Sequence, residues 1–180
     1  MDILVSSNLE RLLYFASDGD AALVASLMRQ LAEDGVYRVP EPLFARIRSE
    51  FACGKADDPA AFDAIRRVFR SEGYLMDPHT AVAWRVYEDY RASGRSSNPA
   101  VVLSTASPYK FAPAMLEALE LSVPESGFAA MEKLHAETGA PVPPALAVLR
   151  QKPVLHRDVI DPSEMLAYVE RKAGEAQWAR

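Results

Sequence analysis

The residues best suited to chemistry lie in one short stretch, Leu103-Ser104-Thr105-Ala106-Ser107-Pro108-Tyr109-Lys110-Phe111. The run Ala100 to Ser104 predicts a buried strand that delivers two hydroxyls, then a lysine, into a proline turn. In open α/β sheets ligands sit at the carboxyl ends of strands, so binding is one reading of these side chains. The other is that the hydroxyls satisfy the backbone of the turn, a common task for serine and threonine. Cys53, beside Lys55, could be a nucleophile near a cation, but a small, partly buried residue is the favoured reading. Arg66, Arg67 and Arg70 make a basic cluster that serves either as a wet helix face or as an anion contact.

Self-contained catalytic signatures are missing. The eight glycines are scattered, with no Gly-x-Gly-x-x-Gly, no Walker loop and no Gly-x-Ser-x-Gly elbow, so no loop of this sequence is built to cradle a phosphate. The three histidines, His79, His135 and His156, fall in no His-Glu-x-x-His pattern, and one cysteine cannot assemble a thiolate site. Glu132, His135 and Glu137 share a predicted helix and read as its solvated face. No metal site is expected.

The elements that must position these residues are announced mainly by caps. Asp58-Pro59, Asp77-Pro78 and Asp161-Pro162 each place a carboxylate before a proline suited to a first helical turn, and Glu164 completes a capping-box spacing with Asp161. Apolar periodicity follows from Asp20 to Gly35, from Asp58 to Gly73 and from Asp77 to Gly94. In the third of these, Val82, Ala83, Val86, Tyr87 and Tyr90 form the predicted stripe. Shorter helices are predicted over about 113–121, 126–138 and 162–172. Besides 100–104, weaker strand signals lie at 37–39 and 152–159. The expected fold is therefore α/β: helix-rich with a short, mostly parallel sheet, with an all-α fold as the alternative. Pro141-Val142-Pro143-Pro144 reads as a stiff connection.

The whole chain has 180 residues, 49% of them hydrophobic, enough for one ordinary domain with its own core. Its formal charge of −5 argues against a protein that coats nucleic acid or anionic membrane. No apolar run approaches the ~20 residues of a membrane-spanning helix. The start lacks the basic and long apolar regions of a secretion signal, and the lone cysteine suits a reducing compartment, so a cytoplasmic location is expected.

Three segments carry a resemblance. Met1 to Leu13 resembles a stretch in the middle of threonine synthase. Asp77-Pro78-His79-Thr80-Ala81-Val82-Ala83 is similar to that family's Asp/Glu-Pro-His-x-Ala-Val segment, and Ser104 to Phe111 to its Thr-Ala-His-Pro-x-Lys-Phe segment. They occur in the family's order over residues 1 to about 120. The resemblance implies the C-terminal portion of a pyridoxal-phosphate enzyme with the tryptophan-synthase-β-like fold. Residues 1–123 would be core and 124–180 a helical extension of the same domain. It implies conversion of O-phospho-L-homoserine and water to L-threonine and phosphate.

The family's Schiff-base lysine and phosphate-holding loop precede the segment at which this sequence begins, and none of its own lysines resembles that motif. The resemblance thus implies an inactive portion whose partner is the lysine-bearing N-terminal part, with no catalytic residue of its own. Thr105 matches the threonine that faces the pyridine nitrogen. Asn8 and Arg11 would orient substrate, or cap and flank the first helix. His79 would face the site or pack beneath it, and Lys110 would attract substrate phosphate or pair at the surface. Ser107 departs from the family's histidine, which removes support for a catalytic role at that position. The competing reading is a non-catalytic helical module for assembly or regulation, and self-association through uncovered apolar surface is a further expectation.

Overall fold

The computed structural model describes residues 5–95 and 97–177, and among these all regular structure is helical. Nine α-helices follow in order: α1 Ser7–Ala16, α2 Ala21–Asp34, α3 Glu41–Glu50, α4 Asp58–Glu72, α5 Pro78–Ala92, α6 Ala112–Ala118, α7 Gly127–Thr138, α8 Pro144–Ala147 and α9 Met165–Gln177. Short 3₁₀ turns occupy Pro108–Phe111, Leu149–Gln151 and Pro162–Glu164. None of the helices among the described residues is long and apolar enough to cross a membrane.

The caps read from the sequence account for several of the helix ends. The Asp20 carboxylate accepts the Leu23 amide at 2.9 Å, and Gly35 leaves α2 at φ 73°, a backbone region that suits glycine. The amides of Asp161 and Glu164 are held reciprocally: Asp161 N–H donates to the Glu164 carboxylate at 3.2 Å, and Glu164 N–H to the Asp161 carbonyl at 2.9 Å. Helix α3 has no counterpart among the sequence expectations. Pro42 lies in its first turn, where a missing amide leaves no intrahelical bond unmade.

The α/β expectation is overturned: no strand and no sheet form among the described residues. Residues 100–104 are irregular, with Val101 88% and Leu103 74% exposed, and 37–39 and 152–159 are likewise irregular. A β-branched run has little intrinsic reason to extend. Its preference comes from neighbouring strands that take up its amides and carbonyls and cover its side chains, and none form among the described residues. The α5 stripe is also corrected. Thr80 and Ala81 are its buried residues, Ala83 is exposed, and Val82, Val86, Tyr87 and Tyr90 are half-buried.

The chain divides into two compact units, Met1–Asp57 with Arg85–Asn98 and Asp58–Trp84 with Pro99–Arg180. In the first, Leu13 of α1, Val24 and Leu27 of α2 and Leu43 of α3 form a small core. In the second, Ile65 of α4, Ala81 of α5, Met115 and Leu116 of α6 and Leu134 of α7 are buried together with Met76 and Tyr109.

Candidate functional site

Two of the resembling segments meet in the second unit. The loop 73–77 brings Asp77 to the head of α5, where its carbonyl accepts the Ala81 amide at 2.9 Å and opens the helix. Its carboxylate is fully buried. Oδ1 accepts the amides of His79 at 3.0 Å and Thr80 at 3.4 Å and lies 3.1 Å from His79 Nδ1. Oδ2 accepts the hydroxyl of the buried Thr80. Burial pushes the Asp77 carboxyl up. The Thr80 hydroxyl, the His79 ring and the two amides outweigh it, so the group is held below the ordinary carboxylate value and stays ionised.

The second segment is shaped by a 3₁₀ turn. The Ser107 hydroxyl accepts the Tyr109 amide at 3.3 Å and the Ser107 carbonyl accepts the Lys110 amide at 3.1 Å. Tyr109, only 3% exposed, drives into the core, where its hydroxyl donates to the Ala140 carbonyl beyond α7. With Tyr109 anchored inward, Lys110 is left exposed and Phe111 turns toward α5. The rings of His79 and Phe111 meet edge to face, 5.1 Å between centres at 61°. Lys110 Nζ lies 5.9 Å from the centre of the same Phe111 ring, close enough for a cation–π contact.

The sequence-predicted residues are therefore only partly gathered. His79, its side chain 36% exposed, and Lys110 share the Phe111 ring. Thr105 is exposed just ahead of the turn, and no hydrogen bond to its hydroxyl is found among the described residues. Asn8 and Arg11 belong to the first unit. There they face solvent on α1 and bond to each other, the Arg11 guanidinium donating to the Asn8 side-chain oxygen. Arg11 also borders a groove of about 510 Å³ lined by Glu10, Tyr14, Phe15, Val24 and Met28. Of the opening segment, Met1 to Leu4 lie outside the described residues.

The basic cluster on α4 is internally occupied. Arg66 donates through Nε to the Ala118 carbonyl at 2.9 Å and pairs with Glu120 at 2.9 Å. Arg70 reaches the other Glu120 oxygen at 3.4 Å, and Arg67 holds Asp63 at 2.8 Å. Cys53 is exposed, contrary to the expected partial burial. Its neighbour Gly54 is the packed one, since a Cβ there would lie 2.7 Å from Val86 Cγ1. Sequence reasoning missed the contact of Asp77 with the His79 ring. The signal was available in the Asp-x-His spacing, which a cap at the first residue brings within reach.

The threonine synthase C-terminal family model matches residues 80–162, which include α6, α7 and the turn bearing Lys110 and Phe111. The chain is 37% identical over 118 residues to a threonine synthase of Pseudomonas aeruginosa, a match covering 66% of this chain and 25% of that enzyme. This chain is related to the C-terminal portion of threonine synthase. Solved structures agree. The yeast threonine synthase superposes with a TM-score of 0.73 at 25% identity, covering 97% of this chain and 36% of that one. The pyridoxal-phosphate-bound threonine synthase of Brucella melitensis gives 0.59 at 33% identity, over 78% and 34%. The chain spans 16% to 26% of the length of the curated threonine synthase relatives it matches.

Proposed function

We propose that this chain forms one wall of a threonine synthase active site. The completed enzyme would convert O-phospho-L-homoserine and water to L-threonine and phosphate with pyridoxal phosphate. The observation that carries the reading is the contact of His79 with Phe111. It joins the two segments of this unit that resemble the enzyme, and beside it an imidazole and an ammonium are left accessible.

Pyridoxal phosphate, when bound, supplies the electron sink that carbanion chemistry on an amino acid requires. The residues of this chain fit one end of it. The exposed, unengaged hydroxyl of Thr105 suits a pyridine nitrogen, and a neutral hydroxyl there does not enforce ring protonation as a carboxylate would. The resemblance gives this chain neither the covalent lysine nor a phosphate cradle. Gly35, Gly73, Gly94 and Gly139 each stand alone at a helix exit with positive φ. A lysine-bearing second portion is therefore part of the proposal. Lys110 acts as a point charge for the substrate phosphate.

Phosphate release from O-phospho-L-homoserine, with pyridoxal phosphate present, tests this. The chain would be assayed alone and mixed with the lysine-bearing portion of a threonine synthase. Activity only in the mixture is the expected result. Release by the chain alone would overturn the division of labour. A mixture that co-elutes without turning over would favour a module that assembles without catalysing.

A further inference from the structure

A cap explains part of what Asp77 does and leaves part over. Capping α5 requires an acceptor for the amides of the first turn, and Oδ1 supplies it to His79 and Thr80. It does not require the imidazole. The His79 ring nonetheless lies with Nδ1 3.1 Å from Oδ1, and Phe111, from a different segment, meets it edge to face. The ring is thus fixed from two sides, by the capping oxygen itself and by Phe111, which has no part in the cap. Asp77 is ionised and accepts only, so the hydrogen between them is carried by His79 Nδ1. The second nitrogen, Nε2, makes no hydrogen bond among the described residues, on a side chain 36% exposed.

From this we infer that Asp77 is a positioning residue. It keeps the proton on His79 Nδ1 and so presents Nε2, an acceptor while the ring is neutral and a donor once it takes up a proton, to the substrate side of the site. The inference rests on the proposed function for what Nε2 meets, but not for which nitrogen is offered. It gives the buried carboxylate the relation to an imidazole that orienting carboxylates have at catalytic and metal-binding histidines, where the partner of one nitrogen decides the protonation of the other.

Long-range proton–nitrogen correlation spectra of the full chain, at a pH where His79 is neutral, read the tautomer directly. The expected pattern has the proton on Nδ1 of His79. Asp77→Ser keeps a capping oxygen but is too short to hold the ring, and should lose the preference. A wild-type ring protonated at Nε2, or a preference unchanged in Asp77→Ser, would overturn the inference. His79→Asn provides the functional arm. Its amide can still donate to Asp77, yet nothing stands where Nε2 was. In the completed enzyme it should keep the wild-type unfolding midpoint and lose about a hundredfold in turnover. Unchanged turnover would remove Nε2 from the site. Absence of activity in the wild-type mixture, with the Nδ1 tautomer observed, would instead count against the proposed function and leave the tautomer assignment standing.

Discussion

Asp77 sets how this chain should respond to acid. Its carboxyl value is lower in the folded state than the ordinary ~3.9 of an unfolded aspartate. The stability it contributes is therefore complete above about pH 4 and is lost as pH falls through the lower folded value. Asp77→Asn should lower the urea midpoint at about pH 7 and narrow its difference from wild type at about pH 3, where the unfolded carboxyl is already largely protonated and the native charge contributes less. A constant difference at both pH values would mean that the cap, not the charge, carries the effect. Thr105 makes a separate prediction for the completed enzyme. If its hydroxyl serves the cofactor, Thr105→Ala should weaken pyridoxal-phosphate binding roughly threefold to tenfold, the worth of one hydrogen bond, and Thr105→Ser should restore it. Absorbance titration of the cofactor decides this, and unchanged affinity with unchanged turnover would remove Thr105 from the site. The sequence announces both residues, Asp77 through the following proline and Thr105 through the resemblance. The Asp-x-His spacing offers the contact of Asp77 with the His79 ring, but it does not show the second hold on that ring, because that depends on the Phe111 side chain arriving from another segment.

Among the elements, the end of α6 shows how a short helix is held where the site needs it. Glu120 adopts φ 61°, a left-handed conformation that costs a non-glycine residue some strain. Two amides recover carbonyls there, Glu120 to Glu117 and Leu121 to Leu116, both at 2.9 Å. Arg66 of α4 then takes the Ala118 carbonyl and pairs with the Glu120 carboxylate, tying α6 to α4. Arg66→Ala should cost about 1.5–3 kcal/mol in urea unfolding, and Arg66→Lys should recover only part of it, since an ammonium lacks the guanidinium fork. In the first unit, Gly54→Ala sets a Cβ against the stiff, branched Val86 and should cost about 1 kcal/mol, checked by the same measurement. Legibility at this scale follows whether a signal is local. The exits at Gly35, Gly73 and Gly139 and the cap at Asp20 need nothing from elsewhere, and the helices they bound form close to where the sequence puts them. Helix α3, which the sequence expectations lack, has Pro40 at its cap and Pro42 in its first turn, where a helix tolerates proline. The predicted strand at 100–104 failed for the opposite reason, since its burial depends on partners that composition cannot supply.

For the whole molecule, those same residues leave apolar surface unaccounted for. Val101, Leu103, Val154, Leu155 and Val159 of the second unit are each 66% to 95% exposed, although their composition belongs to interiors. Single exposed apolar residues are ordinary, but these fall in two runs, and clustered apolar surface on a lone chain favours association. This chain covers only 34% to 36% of the solved threonine synthases that it resembles, so a partner surface is part of the proposal. Two outcomes can then be separated in one titration. Sedimentation velocity of the chain alone should show concentration-dependent self-association, accompanied by binding of an apolar-surface dye. Adding the lysine-bearing portion of a threonine synthase should replace this with a mixed complex and reduce the dye signal. Charged replacements at Val101 and Leu103 should weaken both kinds of association while leaving the helical signal and unfolding midpoint unchanged, because neither side chain is packed in the chain itself. If association persists undiminished in that variant, the surface responsible lies elsewhere. If the variant unfolds, 100–104 is a structural part of this chain, and its exposure says nothing about a partner.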